Sequence, residues 1–382
     1  LLLAAAAACG REGPTNPPVV PPGPTRYTAT TPITGLVPRA YYGDTLLAAE
    51  RDVFYWNDRV NWSAQQAQIR PRVAAATTFG QLWSAATASI DPWLRQAGDA
   101  HSAYFPPNDA PGRVDSPNNA AYRVSGTTLA GGAAPLAYLY FPTFSGRNGA
   151  GRADSTQDVI RTLDAANPCG WVLDLRFNPG GLIFAMLAGL NPLLGDAPAN
   201  ATSPGLGGLV DRFNTRYAIY VDAGRAGFYD PATNQRSVGT ATTSNYRLRR
   251  PNAPVALLIG RTTASAGEFI TLGFRGGAVP NRSFGDSTYG VSTTPAGMYL
   301  RPDSGFLNIT AGVMYDRTGR LYGFAVQPDE PVAGGPDFQT LVFGLFGRGL
   351  DAATPTPSAS DPVLAAATAW LRTQPACAVV QA

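Results

Sequence analysis

The spacing of apolar residues changes character once along the chain, and that change divides it. Between residues 41 and 100, Leu46, Leu47, Val53, Phe54 and Trp56, then Phe79, Leu82, Trp83, Ile90, Trp93 and Leu94, recur at steps that gather on one side of a helix. This predicts a small helical N-terminal subdomain over 40–105. It closes in Gly98-Asp99-Ala100-His101-Ser102, ahead of Pro106 and Pro107, so His101 sits where a helix gives way to a loop. A polar, glycine-rich stretch runs on to residue 135. From 136, short apolar runs alternate with helical stretches, the pattern of a layered α/β core placed over 106–350. Strands are predicted at 136–141, 171–175, 217–221 and 255–260, and helices at 157–166, 182–194 and 267–274. A glycine-rich β region over 279–332 carries turn signals at Pro302-Asp303-Ser304-Gly305 and Asp316-Arg317-Thr318-Gly319. The remainder, 351–382, holds one amphipathic helix at 362–373 and a tail.

Composition narrows the chemistry. Charged residues are 14% of the 382, and all 29 basic residues are arginine. A chain without lysine cannot build a Walker phosphate loop, a Schiff base or a serine–lysine dyad. His101 is the one histidine, which rules out zinc sites made of two or three imidazoles. Nothing in the residues calls for a metal or a cofactor. The net charge of +3 is dispersed, with no basic stripe for nucleic acid and no basic membrane-binding helix. Arg247, Arg249 and Arg250 read as part of a solvated loop.

The chain opens on Leu1-Leu2-Leu3 and five alanines before Cys9 and Gly10. So short an apolar run cannot span a bilayer and reads as the end of a signal peptide over 1–9. Small residues directly before a cysteine resemble a bacterial lipobox, which implies a lipid anchor at Cys9; a plain secretory signal or a fortuitous alanine run are the alternatives. The proline-rich segment 10–39 reads as an extended tether. In an exported chain, Cys169 and Cys377 either form one disulfide or stay as two buried thiols.

Two segments join a buried strand to a helix through a turn of small residues, where unpaired amides can hold an anion. The first is Leu173-Asp174-Leu175-Arg176-Phe177-Asn178-Pro179-Gly180-Gly181, whose glycines allow close approach and whose amides can face an oxyanion. Alone, it is also an ordinary tight turn. The second, Thr263-Ala264-Ser265-Ala266-Gly267-Glu268, fixes a serine at a helix start, with the Ala266 amide beside it. Alone, Ser265 is also a helix cap, with Glu268 completing a capping box.

Together and in this order, the segments resemble the tail-specific, or C-terminal processing, serine peptidases, whose core is similar to that of Clp protease and crotonase. That family shows Leu-Asp-Leu-Arg-x-Asn-x-Gly-Gly and then Thr-Ala-Ser-Ala-x-Glu with the nucleophilic serine. Further blocks match at Gly285-Asp286-Ser287-Thr288-Tyr289-Gly290 and Pro328-Asp329. The processing enzymes keep a lysine base where this chain has Val291. Tricorn-like members use a histidine from an N-terminal segment instead, and 98–102 resembles that segment.

The resemblance implies an exported serine endopeptidase, periplasmic or at the cell surface, acting on protein or peptide through an acyl-enzyme. Ser265 would be nucleophile and His101 general base, with an oxyanion hole from the amides of Gly180, Gly181 and Ala266. No inserted PDZ domain, no cofactor and no nucleic-acid partner are implied. Tricorn-like members add a glutamate at a position that corresponds here to Tyr322, and none of Glu12, Glu50, Glu268 and Glu330 falls there. Asp316, Glu268 or a neutral acceptor such as Ser102 remain as third members. Two other readings stay open: a binding module for an apolar ligand, since photoreceptor retinoid-binding proteins are built from similar domains, and an esterase using the same site.

Overall fold

The computed structural model describes residues 27–34, 37–107, 123–132, 134–144, 148–301, 303, 305–334 and 357–378. Cys9 with the expected signal segment, most of the expected tether and residues 351–356 lie outside the described residues. The chain forms two compact units, one from Leu1–Val114, Val210–Thr215 and Thr293–Val313, the other from Asp115–Leu209, Arg216–Ser292 and Met314–Ala382.

In the first unit, helices Val37–Val53, Trp62–Ala75 and Phe79–Ile90 bury the expected apolar stripe, with Leu46, Leu47, Phe54, Leu82 and Ile90 at most 2% exposed. Among them lies a buried carboxyl, Glu50, which accepts from Gln65 Nε2 at 2.6 Å and from the Ser89 hydroxyl at 2.5 Å. A short helix, Trp93–Gln96, then stops for a local reason. Gly98, at φ 94°, donates to Arg95 O at 3.0 Å and Asp99 N donates to Leu94 O at 3.1 Å, the paired bonds of a glycine-terminated helix end. The chain leaves extended as strand Ala103–Phe105, antiparallel to Gly305–Tyr315, which also pairs with Thr293–Leu300.

The second unit is built on a six-stranded sheet in the order Glu330–Pro331, Asn281–Gly285, Val255–Ile259, Gly170–Asp174, Leu136–Tyr140, Ser125–Leu129. All neighbours are parallel except the last pair. Side-chain alternation sends Leu139, Leu173, Leu257 and Ile259 to one face, where Ile160, Leu187, Phe269 and Ile270 cover them. Tyr138, Val172, Ala256 and Leu258 go to the other, under Val363, Leu364, Ala367 and Leu371 of helix Pro362–Thr373. Helices on both faces of a mainly parallel sheet are the expected α/β class, which explains why these strands read as continuous apolar runs.

The helix expected at 157–166 runs from Gly149 to Asp164. Its first turns hold two glycines and few apolar residues, so they carry no apolar period; Asn148 starts them by accepting from Gly151 N at 3.1 Å. The antiparallel strands Arg225–Asp230 and Gln235–Ala241 also escaped the pattern, the second because it is mostly exposed. Of the two states open to the cysteines, the structure holds the disulfide, joining Cys169 to Cys377 across 208 residues.

Candidate active site

Strands Gly170–Asp174 and Val255–Ile259 are parallel neighbours, in register from Trp171↔Val255 to Asp174↔Leu258. Loops leaving their carboxyl ends therefore emerge side by side, at the edge where open α/β sheets bind ligands. The two sequence segments are these loops. Thr263 Oγ1 donates to Leu175 O at 2.9 Å, Ala264 N to Asn178 O at 3.0 Å, and the Thr262 hydroxyl to the Arg176 carbonyl. Gly180 lies directly against the serine: at φ 103°, a Cβ there would stand 2.8 Å from Ser265 Cβ and 3.1 Å from Ala266 N. No side chain fits in that space or that conformation.

Ser265 is itself at φ 51°, ψ −116°, heading helix Ala266–Phe274. Ordinary caps are extended, and a non-glycine residue with positive φ carries strain of about 1–3 kcal/mol. A serine strained between a buried strand and a helix is the arrangement of a nucleophile elbow, which lifts the hydroxyl clear of the backbone. Of the three amides expected to hold an oxyanion, that of Gly180 donates to Asn178 Oδ1 at 2.9 Å. The amides of Gly181 and Ala266 donate to none of the described residues. Asn178 acts through an Asx turn, a signal present in Asn-Pro-Gly-Gly but not singled out there; its amide group donates to the carbonyls of Phe141 and Pro142 at 3.1 and 3.2 Å.

The Glu268 half of the capping box expected as the alternative role of Ser265 coexists with this geometry. Glu268 is buried and accepts Ser265 N and Val291 N on Oε2 at 2.9 and 3.0 Å, and Gly290 N at 3.0 Å and the Thr288 hydroxyl on Oε1. Burial pushes it up to about 7, against the pull of those four donors. Both oxygens are thus taken up in holding the backbone on either side of the serine. Asp316 is similarly occupied, accepting Thr318 N at 2.9 Å, Thr318 Oγ1 at 2.6 Å, Arg320 N at 3.2 Å and the Tyr322 hydroxyl at 2.8 Å.

His101 lies in the other unit. Its backbone is clamped from both sides: N donates to Asp99 Oδ1 at 3.0 Å and O accepts from Asn308 Nδ2 at 3.3 Å. Asp99 also accepts Ser102 N at 3.1 Å, Thr310 Oγ1 at 2.6 Å and Arg95 Nη1 at 3.3 Å. Burial draws the imidazole down to about 4, with Asp99 and a hydrogen bond to the Thr293 backbone opposing and Arg95 adding to the fall. Ring Nδ1 stands 2.8 Å from Thr293 Oγ1, and Thr293 is 2% exposed. No sequence signal singles Thr293 out. Ser102, one of three candidates for the third member, accepts Thr310 N on its hydroxyl at 2.9 Å.

Residues 135–332 match the model of peptidase family S41. The chain is 31% identical over 193 residues to the nisin-resistance protein of Lactococcus lactis subsp. lactis, a match covering 50% of this chain and 54% of that one. The chain thus spans about half the length of that relative. Among solved structures, a lipoprotein from Streptococcus agalactiae superimposes with TM-score 0.59 at 18% identity, over 79% of this chain and 93% of that one. That likeness is one of fold. The photosystem II D1 C-terminal processing protease aligns over 84% of this chain and 99% of that one, at 16% identity and TM-score 0.49.

Proposed function

Because this chain belongs to peptidase family S41, we propose that it is an exported serine endopeptidase that cleaves peptide bonds through an acyl-enzyme on Ser265, with His101 as general base. Ser265 Oγ attacks the carbonyl while His101 Nε2 takes its proton, then delivers it to the leaving amine; water repeats the sequence to release the acyl group. The amides of Gly181 and Ala266 receive the developing oxyanion. Gly180, its own amide held by Asn178, serves by leaving room for Ser265 and the Ala266 amide. The observation that carries this reading is the strained Ser265 elbow packed against Gly180.

Export is supported by the Cys169–Cys377 disulfide, which persists in oxidising compartments, and by one relative being named a lipoprotein. A lipid anchor at Cys9 is the part of the reading that rests on sequence alone. The test of function is hydrolysis of matched peptide and ester substrates by the wild type and Ser265→Ala. Peptide cleavage that disappears in the variant is expected. Ester cleavage without peptide cleavage would make the protein an esterase, and reversible binding of apolar ligands without turnover would make it a binding module.

A further inference from the structure

We propose that Thr293 is a positioning residue for His101: its hydroxyl accepts the Nδ1 proton and holds the imidazole in the tautomer that leaves Nε2 bare. This rests on the Ser265–His101 reading and completes it. In serine enzymes the third member keeps the ring in the right tautomer and orientation, a role usually filled by a carboxylate. Here the described side-chain partner of Nδ1 is a hydroxyl at 2.8 Å, and the backbone of the same Thr293 also hydrogen-bonds the ring.

Both ends of that bond are held firmly. Thr293 starts the strand Thr293–Leu300, pairs with Val313 and is buried, and a β-branched side chain has few rotamers to explore. The His101 backbone is tied at N to Asp99 and at O to Asn308, so the acceptor at Nδ1 decides the remaining freedom of the ring. A hydroxyl can accept from Nδ1–H both before and after Nε2 takes the serine proton, since the ring keeps that hydrogen throughout.

The nearest acid does not compete. Asp99 spends its oxygens on the amides of His101 and Ser102, the Thr310 hydroxyl and Arg95, and so acts on the ring only through space. A hydroxyl adds less charge stabilisation than a carboxylate would, so the bond is worth tautomer and aim more than electrostatics.

With a single histidine in the chain, the imidazole nitrogens give one pair of signals in a nitrogen-15 spectrum, free of overlap. At neutral pH the wild type should show protonated Nδ1 and bare Nε2. Thr293→Val should shift the population toward protonated Nε2 and lower kcat about 10- to 100-fold with KM little changed; Thr293→Ser should restore both. Protonated Nε2 in the wild type, or Thr293→Val with unchanged tautomer and kcat, would overturn the inference. If Thr293→Val does not fold, the wild-type tautomer and the kcat of Thr293→Ser still decide. His101→Ala separates the two levels: an inactive His101→Ala beside a fully active Thr293→Val removes only the role of Thr293, whereas an active His101→Ala removes the base itself.

Discussion

Glu268 Oε2 accepts the amide of Ser265 at 2.9 Å, and the same carboxylate also holds the amides of Gly290 and Val291. One buried side chain therefore fixes both the backbone of Ser265 and the loop that carries Val291. Glutamine there would turn an NH₂ group toward N–H donors on one side, since both carboxylate oxygens accept. Glu268→Gln should destabilise the fold by about 1–3 kcal/mol and lower kcat. Urea unfolding and peptide turnover measure the two effects, and unchanged values of both would contradict this role.

Gly180→Ala should fold less stably and lose most activity. The new Cβ would meet Ser265 Cβ at 2.8 Å with Ala264 O at 3.0 Å, at a φ of 103° that alanine resists. Displacing the serine by about 1 Å should cost on the order of 100-fold in kcat/KM. An alanine variant as active as the wild type would show that the glycine turn does not shape the site.

The pH profile follows from the burial of His101. The imidazole, drawn from its ordinary 6.5 to about 4, is neutral and able to act as a base everywhere above that value. The acid limb of kcat/KM should therefore fall near pH 4, below the place an exposed histidine would give. A limb at 6.5 or above would mean that the ring is solvated or paired with an acid in the working enzyme.

Stability should move the other way with pH above neutrality. Burial raises Glu50 from 4.5 to about 8 and Glu268 to about 7. Each then holds a proton in the folded state that the unfolded chain has released, so its contribution is complete below 4.5 and is lost as pH rises through the folded value. His101 has the opposite sign: its contribution is complete above 6.5 and is lost as pH falls toward 4. Between pH 6.5 and 8 the glutamates decide, and the urea midpoint should drop. Glu50→Gln, which has no proton to lose, should flatten part of that drop; a slope identical in the variant would contradict the assignment.

The Asp-Arg pair in the first motif has a structural role. Arg176 Nη2 sits 2.7 Å from both Asp174 Oδ2 and Asp361 Oδ2, all three buried. Asp361 in turn caps helix Pro362–Thr373 through the amides of Val363 and Leu364. Arg176→Met would strand two carboxylates in the core, at about 3–5 kcal/mol. Thermal unfolding should register this, while turnover per folded molecule should change little.

What could be read from sequence follows the range of the interactions. The strands at 136–140, 170–174 and 255–259 are legible because both faces are covered, leaving unbroken apolar runs. Ser265 and the glycine turn were legible as motifs. Their juxtaposition followed only from the family resemblance, since no local pattern shows that the two strands become parallel neighbours. The start of helix Gly149–Asp164 and the exposed strand Gln235–Ala241 lack an apolar period altogether. Thr293 was invisible for a different reason. A threonine in a β region is unremarked in any sequence, and only the pairing of distant strands brings it to a ring 192 positions away.

Covalent capture by a fluorophosphonate, read by intact mass and peptide mapping, tests the pairing of Ser265 with His101. One adduct per chain, on Ser265, should form rapidly in the wild type and about 1,000-fold or more slowly in His101→Ala. Capture at another residue, or at an undiminished rate without His101, would contradict that pairing.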